Sequence, residues 1–564
     1  MTINDRVTKA IRAALEQAGI LCDGDITIEH PRDLSHGDFA TNIAMVVAKA
    51  EGKNPHELAE NIAANISASE IKEVAVAGPG FINITLTDQF FADQVAEVFA
   101  TPDIFGYNHD WQGKKILVEH SSPNLFKPFH IGHMMNNTVG EAIARLCKTS
   151  GAEVTQISYP SDVSLGIGKA VWKLLDYGIE KLDEYETTSE KMAFLGRCYA
   201  EGTQAYESDE SIHDRVREIT QDIYEHRDTP AYTAYQLGRD LNLDYFITMT
   251  ARLGSSFDGF VFESEAGKEG KDIIRENTPA IYTESDGATI YQGEDDGLHT
   301  RVFINKDGNP TYEAKDTGLL KIKFDRYQPD LSVFVTDSEQ GPYFQVVVTA
   351  AGKVNPDWQA KTIHKTHGRM QFKGAKMSSR LGNTPLVSDI LDAVLAEVRE
   401  RSDRDISDTE ADAIAIAALK YTILRTQAGK NINFDPDTSL SFEGDSGPYL
   451  LYTYARARSV AQKGEDLGIA SDPSLPNGWQ ATDVERILYR FPEVINLAFR
   501  DLAPHQVVTY VTELAQAFNT WYGEGKIADP DDPNSPYKLA LTRATAQVIK
   551  NACWVLGIEV LEEM

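Results

Sequence analysis

Cysteine is scarce and scattered in this chain. Its four residues, Cys22, Cys147, Cys198 and Cys553, lie far apart and form no Cys-x-x-Cys pair. That spacing argues against a zinc knuckle and fits a reducing cytoplasm. No run of 18 or more apolar residues occurs, so no membrane span is expected. The opening MTINDRVTKAIRAALEQAGI has apolar residues at helical spacing among mixed charges, and reads as an amphipathic helix, not a signal peptide. Positive charge is in deficit: 54 Lys and Arg stand against 85 Asp and Glu, a net charge of −31. A sequence-indifferent nucleic-acid coat would be basic, so that class is disfavoured. A local basic groove remains possible, with acidic surfaces elsewhere repelling wrong contacts. Repeats and low-complexity segments are absent.

What is present is 564 residues, too many for one core, with an ordinary 42% apolar and 25% charged content. Residues 1–110 read as a separate α+β unit. Helical patterns at 7–18, 42–51 and 55–66 precede the alternating run VAVAGPGFINITL, where Gly78-Pro79-Gly80 marks a hairpin turn. Residues 111–390 read as an α/β domain. A buried strand at 114–120, a helix from about 131 to 150 and a strand at 151–157 make a parallel βαβ unit, hence a doubly wound, Rossmann-like sheet. An insertion is expected over about 168–309, helical and acidic at first, then with short strands from Phe257, closed by a turn at Asp307-Gly308. Segments 331–335 and 362–364 are expected to return to the sheet. Helical periodicity then dominates, at 385–400, 409–427, 447–463, 483–497, 504–522 and 539–556. This gives a helical connection over 391–440 and a helical bundle over 441–564.

Two segments carry chemistry. His130 and His133 stand at i, i+3 where a helix begins, so they share a face. Unpaired N–H groups and the helix dipole at such a place favour an anion. Imidazoles there can donate to a phosphoryl group whose charge grows in the transition state. Gly132 removes a side chain where an adenine ring could approach the backbone. Some 240 residues on, GAKMSSRLGN has no helix or strand pattern. Lys376 on such a loop can reach pyrophosphate, and Ser378 and Ser379 can donate hydrogen bonds. Two surface histidines and a solvated linker are the plain alternatives for either segment alone.

Taken together, SSPNLFKPFHIGHMMNNTVG at 121–140 and AKMSSRLGN at 375–383 resemble the two signatures of class I aminoacyl-tRNA synthetases, and their surroundings resemble the arginyl family. The family loop ideally has a second lysine where this chain has Ser379. Arginyl enzymes of this kind often carry a lysine before the His-x-Gly-His motif, and the resemblance makes Lys127 that substitute charge on the ATP phosphates. It implies catalytic roles for His130, His133, Lys127, Lys376 and Ser378, with ATP held by His130, Gly132, His133, Lys376 and Ser379. It further implies an arginine pocket. Glu119 in VEHSSPN would face the guanidinium and Asn124 would hold the α-amino or carboxylate end. Tyr312 and Asp316 in TYEAKD stand at i, i+4 and can face one pocket, and Gln340 also faces the substrate. The segment VAVAGPGFINITL resembles the family's N-terminal domain that contacts the tRNA elbow, with Phe81 and Asn83 as base contacts. SFEGDSGPYLLYTYARARSV resembles the entry to its helical anticodon-binding domain. Lys430, Arg456, Arg458 and the terminal Met564 are the further tRNA candidates.

The chain departs from the family pattern at Ser161-Asp162-Val163-Ser164, at Tyr343 where many relatives have histidine, and at Met134-Met135-Asn136-Asn137. The implied activity is an arginine–tRNA ligase using L-arginine, ATP and tRNA(Arg). Magnesium would be carried by the nucleotide, with no zinc and no protein metal ligand, and the enzyme would be a cytoplasmic monomer. Alternatives stay open at this point: another class I synthetase, a catalytically silent tRNA-binding paralogue, or an unrelated nucleotidyltransferase with a similar histidine turn.

Overall fold

Ile116, Leu117 and Val118 form the middle of strand Lys115–Glu119, and all three are buried. Such an unbroken apolar run needs cover on both faces. The computed structural model supplies it, and describes residues 2–20, 22, 24–373, 385–402 and 405–564. Ile116 and Val118 pack with Ile143, Ala144 and Cys147 of helix Ile131–Thr149. Leu117, on the other face, packs with Leu319 and Ile322 of helix Tyr312–Tyr327. The sheet runs in the order Thr362–His367, Leu331–Asp337, Lys115–Glu119, Glu153–Ser158, Gly259–Phe260, with every pair parallel. Chain direction through the sheet reverses at Lys115–Glu119, whose neighbours are the next strand in sequence and a much later one. Ligands of open parallel sheets bind beyond the carboxyl ends of strands at such a switch point.

Helix Ile131–Thr149 comes unusually close to that sheet end. A Cβ on Gly140 would lie 2.3 Å from the His120 side chain, so glycine is required there. His120 itself is buried and bonded to Ser121 and Gln156.

The stretch expected as one insertion is not continuous. Gly259–Phe260 rejoins the main sheet, through Ile157↔Gly259 and Ser158↔Phe260. Before it lies a cluster of helices, Leu165–Tyr177, Thr188–Ser208, His213–Tyr224 and Pro230–Arg252. After it come helix Glu263–Glu276, which the strand-like reading missed, and a small antiparallel sheet of Thr283–Ser285, Ala288–Tyr291 and Arg301–Ile304. The chain turns at Gly308, in the left-handed region at φ 74°, and Asn305 N–H bonds to Asn309 O.

The N-terminal residues form an antiparallel sheet in the order Phe39–Thr41, Phe81–Leu86, Ile71–Ala77, covered by helices Ile3–Gln17, Ile43–Glu51 and Pro55–Ala63. Its apolar core takes in Tyr489 from far along the chain, with Ala481 packed against it. Arg486 bonds Asp38 at 2.7 Å beside it, so this unit is fastened to the helical bundle.

The helix expected over 483–497 is two helices, Asp483–Leu488 and Phe491–Asp501. Pro492 has no N–H to give the Leu488 carbonyl, which ends the first helix. The buried Tyr510 hydroxyl donates to that carbonyl instead, at 3.0 Å. The remaining bundle helices are Gly447–Asp466, Pro504–Glu524 and Ser535–Val555.

Candidate active site

His130 and His133 cap their helix reciprocally. The Gly132 N–H donates to His130 Nδ1 at 3.1 Å, and the His130 N–H donates to His133 Nδ1 at 3.1 Å. Their rings stack with centroids 3.9 Å apart. Because each Nδ1 accepts, the proton of each neutral ring belongs on Nε2. Burial lowers the pKa of His130, and the nearby Lys127 charge adds to it. His133 is held well below the ordinary histidine range by burial, then by His130, Lys127 and His367. The pair therefore offers two neutral Nε2–H donors.

Two expectations change here. The helix does not present unpaired N–H groups to an anion. The Ile131 N–H bonds to Pro385 O at 3.1 Å, and those of His133 and Met134 return to His130 O. Gly132 is needed for its own neighbour: a Cβ there would come within 3.0 Å of the His130 ring. Lys127 places its ammonium 4.8 Å from the centre of the Tyr199 ring and does not line the cleft. Lys376, Ser378 and Ser379 lie outside the described residues. The segments flanking them are fixed. Met370–Phe372 pairs with Ile432–Phe434, and Leu386 bridges to His130 while the Val387 N–H bonds to Phe129 O at 2.8 Å. The C-terminal end of that loop is thus tied to the histidine turn.

From the histidines a cleft of about 680 Å³ runs across the strand ends. It brings together Glu119, Asn124, Tyr312, Asp316 and Gln340, the residues that the resemblance assigned to arginine. Asn124 stands on a loop bridged to Ser161. Tyr312 opens helix Tyr312–Tyr327 and is 61% exposed. One turn on, Asp316 accepts a hydrogen bond from the Tyr343 hydroxyl at 2.5 Å. Burial pushes its carboxyl up to about 8, with Glu263 and Glu119 adding to the rise and Tyr343 and Lys323 opposing it. Tyr343, which the resemblance set where many relatives have histidine, thus serves as a donor to the Asp316 carboxyl.

Glu119, expected to face the guanidinium, has a resident partner. It is ion-paired with Lys323, whose side chain is buried. Sequence reasoning missed Glu263, Arg301 and Tyr159, which line the cleft, and Lys315 and Lys323, which pair with its carboxylates. The signal for Lys323 was available: it follows Asp316 by seven residues, two turns along the same helix face. Tyr159 is buried, lines the cleft, and its hydroxyl has no partner among the described residues. The departure at 161–164 has structural work. Asp162 bonds the Ser264 N–H at 2.9 Å and its hydroxyl at 2.7 Å, and Ser164 caps helix Leu165–Tyr177.

The nucleic-acid candidates are spread widely. Phe81 and Asn83 share the outer face of strand Phe81–Leu86, whose alternate residues Ile82, Ile84 and Leu86 are buried. Lys430 is exposed. Arg456 is sandwiched between Tyr452 and Tyr522 and bonded to Asn519. Arg458 pairs with Glu562 at 2.9 Å, so its charge is already compensated. Met564 packs partly buried against the central core.

A parallel sheet with a switch-point cleft and a paired histidine turn defines a class I tRNA synthetase catalytic domain, and the model described as "tRNA synthetases class I (R), catalytic domain" matches residues 98–435. The arginyl tRNA synthetase N-terminal domain matches residues 5–86, and the DALR anticodon binding domain matches 450–564. The chain belongs to the arginyl-tRNA synthetase family. Among curated relatives, an arginine–tRNA ligase of Clostridium perfringens is 29% identical over 95% of this chain and 96% of its own. One of Streptococcus equi is 29% identical over 98% and 97%. The fold is also that of Thermus thermophilus arginyl-tRNA synthetase, with TM-score 0.79, 22% identity and full coverage of both chains. Plasmodium falciparum arginyl-tRNA synthetase gives TM-score 0.78 and 19% identity, over 100% of this chain and 99% of the other.

Proposed function

We infer that this chain joins L-arginine to tRNA(Arg) at the expense of ATP. The arginine carboxylate attacks the α-phosphorus of ATP, a phosphoanhydride bond breaks, and arginyl-adenylate and pyrophosphate form. A terminal ribose hydroxyl of the tRNA then attacks the arginyl carbonyl and AMP leaves. No side chain forms a covalent intermediate. The protein positions the reactants and stabilises charge. The observation that carries this reading is one cleft with neutral Nε2–H donors at one end and the Asp316 carboxyl at the other. The donors suit phosphoryl oxygens, and the carboxyl suits a guanidinium. Magnesium would ride on the phosphate oxygens of ATP. Among the described residues no group of three or more His, Cys, Asp or Glu side chains is placed to hold a metal ion.

In this reading residues 1–110 hold the tRNA elbow through Phe81 and Asn83, the 441–564 bundle grips the anticodon stem, and Lys376 with its serines contacts pyrophosphate. The enzyme works as a cytoplasmic monomer and needs bound tRNA to activate arginine. ATP–pyrophosphate exchange with each amino acid, with and without tRNA, tests the assignment. Arginine should be the only strong substrate, and only with tRNA. Lysine keeps the charge but not the fork, and an unpaired buried acceptor can cost roughly 10⁴-fold in discrimination. Comparable exchange with lysine would overturn the reading.

A further inference from the structure

Six carboxylates line the cleft among the described residues: Glu119, Glu263, Glu313, Asp316, Asp337 and Glu339. Five of them already face a resident cation. Lys323 holds Glu119, and Lys315 holds Glu263 at 2.9 Å. Arg301 holds Glu313 at 3.1 Å, and Arg369 reaches both Asp337, at 3.2 Å, and Glu339. Asp316 has no ion-pair partner among the described residues; the Tyr343 hydroxyl is its hydrogen-bond donor.

The two lysines are the informative members. Lys315 is 5% exposed and Lys323 is 2% exposed. Burying a lysine with a carboxylate is no better for stability than packing apolar side chains in the same space, and often worse. Both come from the helix that carries Asp316, and they reach carboxylates from two other elements, Glu263 of helix Glu263–Glu276 and Glu119 of strand Lys115–Glu119. At the floor, once all three carboxyls are ionised, the two ammoniums leave one negative charge uncancelled. A guanidinium brings one positive charge.

Resting on the arginine reading above, we propose that Lys315 and Lys323 are specificity-determining positioning residues. They cancel Glu263 and Glu119, so that Asp316 is the single place in the cleft where a monocationic side chain is needed. Glu119 then acts as an acceptor held in place by Lys323, not as a second open charge. Without Lys323, Asp316 would face the bare Glu119 carboxylate as well as Glu263, beside the Tyr343 and Tyr159 hydroxyls and with Arg301 over the Tyr343 ring, and would hold its proton more tightly.

The test uses Lys323→Met and Lys315→Met in the full-length protein. Arginine KM and kcat are measured by exchange with tRNA present, across neutral and alkaline pH. Arginine KM should rise about tenfold for Lys323→Met, the equivalent of about one pH unit on a carboxyl. The pH at which KM levels off should move upward. ATP KM and kcat at saturating arginine should hold. A purely structural lysine would lower stability and leave that pH unmoved. Lys323→Met/Glu119→Gln removes both charges and leaves no unpaired buried ion, so it serves if the single variant does not fold. Its arginine KM should lie nearer to the wild-type value than that of Glu119→Gln alone. Unchanged KM and pH dependence in both single variants would overturn the proposal, as would a double variant no better than Glu119→Gln. A wild-type protein inactive with arginine would instead sink the functional reading; an active one with unresponsive variants sinks only the lysine assignment.

Discussion

At the histidine end of the cleft the protein removes positive charge by burial, and at the carboxylate end it removes negative charge by pairing. His130 and His133 are held neutral because solvent is excluded and because the Lys127 charge lies near both. Glu119 and Glu263 keep resident lysines. On the proposed function, the difference follows from what each end binds. A phosphoryl group brings its own negative charge, and neutral donors can follow it as that charge shifts. A guanidinium brings a fixed positive charge, which needs one open carboxylate and no more. Asp316 fits that need, and its carboxyl is pushed up to about 8 while the pocket is empty.

The sharpest break in this comparison is Asp316→Asn. It removes the open charge but keeps the shape. Leaving a buried guanidinium without its counterion costs about 4 kcal/mol, so arginine kcat/KM should fall on the order of 10³-fold. Exchange kinetics across arginine concentrations would read it, and a loss below tenfold would place the seat elsewhere. At the other end, His133→Ala should lower kcat roughly 10²-fold with arginine KM nearly unchanged, since one transition-state donor is lost. A change confined to arginine KM would contradict the division of labour between the two ends.

The two ends should also answer differently to pH. Arginine needs Asp316 ionised, so apparent arginine affinity should weaken as pH falls below about 8, approaching tenfold per unit. The same group makes the empty protein less stable as pH rises from its ordinary 3.8 towards about 8, because only the unfolded chain loses the proton over that window. Added arginine should therefore raise the melting temperature more at alkaline than at neutral pH. His133 works in the opposite sense. Its folded pKa is depressed, so its contribution to stability is present above 6.5 and is lost as pH falls from there towards the folded value. Exchange at saturating arginine should accordingly show no inflection at 6.5.

The smallest expected effect lies in the bundle. Arg458→Ala breaks an exposed pair with Glu562 and should change stability by less than about 1 kcal/mol. It should also leave the salt dependence of tRNA binding unaltered. Lys430→Ala, at an exposed lysine, should reduce that salt slope by about one. Equal slopes for both variants and the wild-type chain would remove Lys430 from the contact.

Much of this arrangement was legible in the sequence because it rests on local rules. The apolar run at 116–118, the histidine spacing and the Gly78-Pro79-Gly80 turn each state their structure within a few residues. The i, i+4 pair Tyr312 and Asp316 was legible for the same reason. What escaped depends on partners distant in the chain. Nothing near Glu119 announces Lys323, 204 residues later, and nothing near Pro385 announces that its carbonyl takes the Ile131 N–H. The unpaired helix N-terminus failed for that reason: local sequence shows which groups a helix leaves over, and tertiary structure decides who takes them. The strand return at Gly259–Phe260 is two residues long and carries no periodicity to read.

One measurement reaches the central claim directly. Arginine is titrated calorimetrically into the full-length protein near pH 7, in buffers of different ionisation enthalpy, and protons released per arginine are counted. If Asp316 is the open carboxylate, most of a proton should leave on binding, since a carboxyl with a pKa of about 8 is largely protonated beforehand. The count should fall as pH is raised through that value. Arginine binding with no proton release near pH 7 would contradict the account.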